Sequence, residues 1–332
     1  MISNPTLGPF PSWPSLTRRP RPAWLVADTS VFVVWVDITA VVVVHKAIEA
    51  DAHTGPVTIQ TLLSIVAKAD SDQLLRHLPA VDQEDFKSRT RPWSCNQPQF
   101  YWIFKNMDFD KWQRTNGSEV LWLSGPAQCR ISDASSHIVD LVKETYPEVQ
   151  HSVLYFFCST APTKSSIGIA FVSTIVSQLV RCSKLRQEIT AIFLRTLLDA
   201  ILREEPLSKP EVSRFNVGDS AEITVKKIVK APSNAYWSAL RTVMDIEREN
   251  GLSIIIDGLE KSEHQKHEFI RELSLFIEHL QERPSKTRVL LTSRPQAEIK
   301  EIIGQLPSIE YDRERKGLFC LISHPRDIQG SH

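Results

Sequence analysis

The sequence predicts an α/β protein: a parallel sheet covered by helices on both faces, preceded by a helical N-terminal extension. Two observations predict it. Short strand-like runs at 120–123, 153–158, 253–256 and 288–291, with a weaker one near Ile309, alternate with helix-length segments at 134–144, 166–181, 184–203, 221–230, 234–250, 263–281 and 297–303. Strands that are apolar on both faces belong inside a sheet, and helical crossovers between them make that sheet parallel. The first run also passes through Gly125 straight into a helix, as a strand–turn–helix junction.

Length and charge narrow the function. The chain has 332 residues, enough for one sizeable domain with appendages, and 39 basic residues balance 39 acidic ones. No global field recruits nucleic acid or an anionic membrane. The five cysteines are scattered without paired spacing, so reduced thiols in a cytoplasmic protein are expected.

In chain order, residues 1–22 are proline-rich and carry Arg18-Arg19-Pro20-Arg21, the composition of a disordered leader. Trp24–Val44 is rich in valine but contains Asp28 and Asp37. Each carboxylate costs about 2.5 kcal/mol or more at a membrane centre, so a strand or loosely attached segment is expected there. A membrane-tethered adaptor held through Trp24–Val44 stands as an alternative. From Val57 to Val81, apolar residues including Leu62, Val66, Leu74 and Leu78 recur at helical spacing and predict one or two amphipathic helices packed on the main domain. Asp82–Gln99 is polar, holds Pro92 and Pro98, and reads as a connector. Phe100–Trp112 reads as one lead-in helix with Trp102, Phe109 and Trp112 near one face as core anchors. The resulting organisation is a low-order leader over 1–56, a helical extension over 57–97, a main domain over 98–315, and a tail over 316–332 that looks truncated.

Gly125-Pro-Ala-Gln-Cys-Arg130-Ile131-Ser132-Asp133 occupies the place of a phosphate-binding loop. Such a loop needs Gly, four residues, then Gly-Lys-Ser/Thr: backbone N–H groups approach the phosphates, the Lys reaches the β and γ oxygens, and the hydroxyl holds Mg²⁺. Gly125 and Ser132 fit. Arg130 stands at the second glycine, Ile131 stands at the lysine, and Asp133 puts a negative charge where a helix N-terminus would attract an anion. Cys129, with no histidine near it in sequence, reads as a packed small residue.

Two later strands carry polar ends. Leu252–Asp257 ends in an acid, and Glu260 follows three residues on. In an active enzyme Asp257 would order Mg²⁺ and Glu260 would polarise the attacking water. Arg288–Ser293 is followed by Arg294-Pro295, an arginine placed to sense a γ-phosphate or to pair with Asp257 or Glu260. His264 and His267, beside Glu263 and Glu268, read as the charged start of a helix and not as a metal site.

With these pieces in this order, the chain resembles the NACHT-type P-loop NTPase domains, of the nephrocystin-like N-terminal class, found in large fungal signalling proteins of the STAND group. The pieces that carry the resemblance are 100–112 as aromatic lead-in, 121–132 as the loop, 153–158 as second strand, 254–260 as the acidic strand and 289–295 as the Thr-Ser-Arg-Pro strand. It covers residues 98–312. The resemblance implies a P-loop fold and a nucleotide-dependent switch joining an effector region to C-terminal repeats, with Gly125, Arg130 and Ser132 at the nucleotide, Ser132 and Asp257 at Mg²⁺, and Glu260 and Arg294 in catalysis.

The altered loop favours a non-catalytic signalling scaffold or partner-binding module, with protein partners or self-association, without nucleic acid or membrane, and with no cofactor. The alternative is a nucleotide-binding switch or weak NTPase holding Mg-ATP or Mg-GTP through Ser132, Asp257, Glu260 and Arg130. Asp257 could also survive as a leftover carboxylate hydrogen-bonded to Ser132.

Overall fold

Strands β1 (Glu119–Ser124), β2 (His151–Phe157), β3 (Gly251–Asp257), β4 (Thr287–Ser293) and β5 (Ser308–Glu310) form an all-parallel sheet in the order β2-β3-β4-β1-β5. The computed structural model describes residues 58–89, 100–115, 117–145, 151–160, 166–204, 215–216, 219–262, 266–282 and 285–311. The leader, Trp24–Val44 and the tail lie outside them, and no helix among the described residues is long and apolar enough to cross a membrane.

Alternation along the strands explains why their runs are mostly apolar on both faces. Val120, Trp122, Leu154, Phe156, Leu252, Ile254, Ile256, Val289 and Leu291 enter one core, while Leu121, Leu123, Tyr155, Phe157, Ile255 and Leu290 enter a second. Successive side chains point to opposite faces, so a sheet with helices on both sides needs apolar residues at every position. The expected P-loop NTPase-like architecture is the one observed.

The first core also takes in the N-terminal extension. Helix α1 (Ile59–Ala67) contributes Leu62 and Val66, and α2 (Ser71–His77) contributes Leu74. Thr58 caps α1 by accepting from Thr61 N–H at 3.2 Å, and Asp70 with Gln73 forms a capping box on α2. The connector expected over 82–99 is partly structured. Helix α3 (Glu84–Arg89) lies within it, Gln83 accepts the Phe157 N–H at 2.7 Å, and Phe86 packs on Phe157 with ring centroids 4.6 Å apart. Its polar composition hid one buried amide and one ring that close the end of β2.

The lead-in is two helices, not one: α4 (Tyr101–Phe104) and α5 (Met107–Arg114). Asn106 breaks the run, since its side chain accepts the Asp108 N–H at 2.8 Å and starts a new helix. Phe109 and Trp112 are buried as expected, and Trp112 Nε1 donates to the Val289 carbonyl at 3.1 Å. Trp102 is only half-buried, and Phe100 and Ile103 fill the core positions instead.

Helix α6 (Ile131–Thr145) packs on the same face as α4 and α5. The other face carries α7 (Ile167–Cys182), α8 (Arg186–Glu204), α9 (Ala221–Ile228), α10 (Ser233–Ile246), α11 (Lys266–Gln281) and α12 (Ala297–Ile303). Close packing there predicts one unusual substitution effect. A methyl group on Gly168 would stand 2.9 Å from Trp237 Nε1. Gly→Ala in a helix ordinarily gains up to about 1 kcal/mol. Overpacking against a buried indole costs about 1–3 kcal/mol, so Gly168→Ala is expected to lower the denaturant midpoint. An unchanged or raised midpoint would show that α7 and α10 have room to part.

Candidate functional site

The site lies at the carboxyl ends of β1, β3 and β4, where parallel sheets place their ligand crevices. Register puts Ser124 beside Ser293, and Ile256 beside Leu291, so Asp257 emerges next to Thr292. The cleft these ends form has a volume of about 80 Å³, and its lining includes Gly125, Arg130, Ile131, Ser132, Asp257, Gly258, Glu260, Lys261 and Arg294. Every sequence-predicted site residue therefore meets at one place.

The loop backbone is tied at both flanks. Gly125 N–H donates to the Ser293 carbonyl at 3.2 Å, and Tyr311 N–H donates to the Ser124 carbonyl at 2.8 Å. A short 3-10 turn over Ala127–Cys129 leads to Arg130 at φ 52° and ψ 42°, the left-handed conformation, and α6 begins at the next residue. Among the described non-glycine residues, Arg130 is the one with positive φ. The loop keeps at this position the backbone that a glycine adopts freely.

That conformation predicts an inverted stability order at residue 130. A residue with a Cβ costs about 1–2 kcal/mol in the left-handed region. Arg130→Gly is therefore expected to be more stable than Arg130→Ala by about 1 kcal/mol in chemical denaturation, even though both remove the same exposed ion pair. Equal stabilities would mean that the loop relaxes out of the left-handed state.

The side chains of the loop point to a different use. A methyl group on Gly125 would stand 3.0 Å from Ile131 Cδ1, 3.0 Å from Tyr311 Cβ and 3.3 Å from Cys129 Sγ. Ile131, at the lysine position, turns its apolar chain onto Gly125. Arg130 is ion-paired with Asp133 across one helical turn. Asp133 also sits in the first turn of α6, where its charge already complements the helix dipole.

On the acidic side, Asp257 is 1 % exposed. Its Oδ1 accepts from Thr292 Oγ1 at 2.6 Å and from Ser135 Oγ at 2.9 Å, while Oδ2 is buried without a hydrogen-bond partner. The expected bond between Asp257 and Ser132 is not formed. Ser135, one turn further along α6, reaches the carboxylate instead, and Ser132 Oγ accepts from Lys261 Nζ at 3.2 Å. Glu260 is committed to Arg294, accepting its backbone N–H at 3.1 Å and lying 3.5 Å from its Nε. Arg294 thus pairs with Glu260, one of its two expected partners.

Ser135, Thr292 and Lys261 were not singled out in the sequence. Lys261 directly follows Glu260, and the turn that carries it is set by Gly258 in the left-handed conformation at φ 76°. A methyl group on Gly258 would stand 3.1 Å from Lys261 Cδ, so the lysine chain folds back across a bare backbone to reach the loop. The Phe86 ring lies 5.9 Å from its ammonium. Cys158 is buried nearby, and burial, with the charges of Asp257 and Glu260, pushes its thiol pKa up, so it stays protonated. Among the described residues no group of three or more His, Cys, Asp or Glu side chains is placed to hold a metal, and His264 lies outside them.

The family model described as Nephrocystin 3, N-terminal matches residues 99–195. That stretch is similar to a nephrocystin N-terminal domain. The matched stretch runs from α4 through the loop, α6, β2 and α7 into α8; β3 and β4, with Asp257, Glu260, Lys261 and Arg294, lie beyond it. No curated protein matches the chain.

Proposed function

We propose that this nephrocystin-like, P-loop-type domain works as a non-catalytic signalling scaffold or partner-binding module, a NACHT-like member of the STAND group in which the nucleotide loop has been given over to structure. The observation that carries the reading is Ile131 packed onto Gly125 where a lysine would face the β and γ phosphates. Loss of that lysine removes a charge-assisted contact worth about 1.5–3 kcal/mol. The neighbouring groups do not replace it. Arg130 is held by Asp133, and Arg294 by Glu260, so neither guanidinium is left for a phosphate without breaking an ion pair. Glu260, bound to Arg294, is not placed as a free base for water.

The residues do not fit a Mg-nucleotide. Asp257 Oδ2 would suit a cation, but Ser132, the hydroxyl that would share the metal, already holds an ammonium group. Under this reading the functional surface is for protein, either a partner or a second copy of the chain. Calorimetry on the full chain with ATP, ADP and GTP in Mg²⁺ tests it. No binding heat for any nucleotide is expected, and micromolar binding with turnover lost on Asp257→Asn would overturn the reading.

A further inference from the structure

We propose that Lys261 is the resident cation of the cleft, standing on Ser132 in the place a divalent metal would take. The proposal rests on the scaffold reading above and specifies how the site achieves it. Four observations carry it. The ammonium of Lys261 lies 3.2 Å from Ser132 Oγ, the hydroxyl that the loop pattern assigns to a metal. Lys261 is the cation lining the cleft that makes no ion pair among the described residues, whereas Arg130 and Arg294 are each paired with a carboxylate. Asp257 is buried with one carboxylate oxygen unpartnered, and it lines the same cleft. Finally, Gly258 leaves the space across which the lysine chain must lie.

The physical argument is one of charge compensation. A buried carboxylate needs an opposite charge nearby or it is strongly destabilising. A P-loop site supplies that charge as an exchangeable metal ion. Here the cleft carries a cation of its own: the ammonium of Lys261, whose side chain follows Glu260 and cannot leave, rests on Ser132 Oγ without pairing with Asp257. A tethered ammonium also differs from a metal in what it permits: it donates hydrogen bonds but offers no open coordination position for a phosphate oxygen or a water. The cleft then holds β1, β3 and β4 together at their carboxyl ends without depending on a ligand.

The test uses Mn²⁺ as the probe, on the full chain, with binding followed by electron paramagnetic resonance and melting followed in parallel. The natural protein is expected to bind no Mn²⁺ at millimolar concentration and to melt at the same temperature with chelator as with metal. Lys261→Met is expected to melt about 3–6 °C lower in chelator. It should also gain a Mn²⁺ site at least about ten-fold tighter than anything in the natural protein, abolished by adding Asp257→Asn. Lys261→Arg, which keeps the charge, is expected to behave as the natural protein and shows that the position tolerates substitution. Mn²⁺ bound by the natural protein in an Asp257-dependent way would overturn the proposal, as would a folded Lys261→Met protein that gains no metal site. Either failure is separable from failure of the scaffold reading, which turns on nucleotide and not on metal alone.

Discussion

The Ile131→Lys, Arg130→Gly double variant is expected to bind Mg-ATP at least about ten-fold more tightly than the natural protein, since the restored charge-assisted contact is worth about 1.5–3 kcal/mol. The backbone is already prepared: residue 130 sits at φ 52°, where glycine is at ease, and α6 begins immediately after it. Obstacles remain, the first being that Mg²⁺ must displace the Lys261 ammonium from Ser132 Oγ. The new lysine must leave the apolar contact Ile131 makes with Gly125, so the variant should melt below the natural protein without ligand and recover when Mg-ATP is added. Asp133, released from its pair with Arg130, then faces the phosphates, and replacing it with serine should tighten binding further. Isothermal titration of the three proteins decides the matter. A folded double variant with no gain would show that the loop is closed by more than its side chains.

Trp237→Ala is expected to be the most destabilising single substitution considered, at about 3–5 kcal/mol, or about 10 °C in melting temperature. Trp237 is 1 % exposed, and its ring centroid lies 5.3 Å from Phe171, 6.1 Å from Phe269 and 6.3 Å from Phe276. One side chain on α10 therefore joins α7 to α11 on the larger helical face. Removing it opens a cavity that three aromatic rings on two helices cannot all collapse to fill. Trp237→Phe should lose much less, and a loss below about 1 kcal/mol for the alanine variant would show that this aromatic cluster is not the centre of the core. Nucleotide and metal behaviour should be unchanged while the protein remains folded, because the cluster is not part of the loop cleft.

The strands and most helices were legible in the sequence because burial on both faces leaves a signal that survives in one dimension. Val153–Cys158 and Ile254–Ile256 are apolar at every step for a reason that is local to the sheet: each residue faces one core or the other. The helix expected over 297–303 is found there, and a parallel sheet follows from such alternation. The site was legible in part for the same reason. Gly125, Asp257 and Arg294 stand at strand ends, with Ser132 and Glu260 in the segments that follow, and parallel strands bring their carboxyl ends together.

Sequence alone determined the fold class, the meeting of those residues, and the absence of a lysine at position 131. Only the tertiary structure decided which groups pair. Asp257 takes Ser135 and Thr292 in place of Ser132, Glu260 takes Arg294, and Lys261 crosses Gly258 to the loop hydroxyl. It also decided that Asp82–Gln99 contains a helix and a buried glutamine, and that Asn106 divides the lead-in. Hydrophobic periodicity is a property of neighbours in sequence and can be read from it. A charge or hydroxyl finds its partner through distances of a few ångströms between elements far apart in the chain, and those are fixed only once the helices have packed on the sheet.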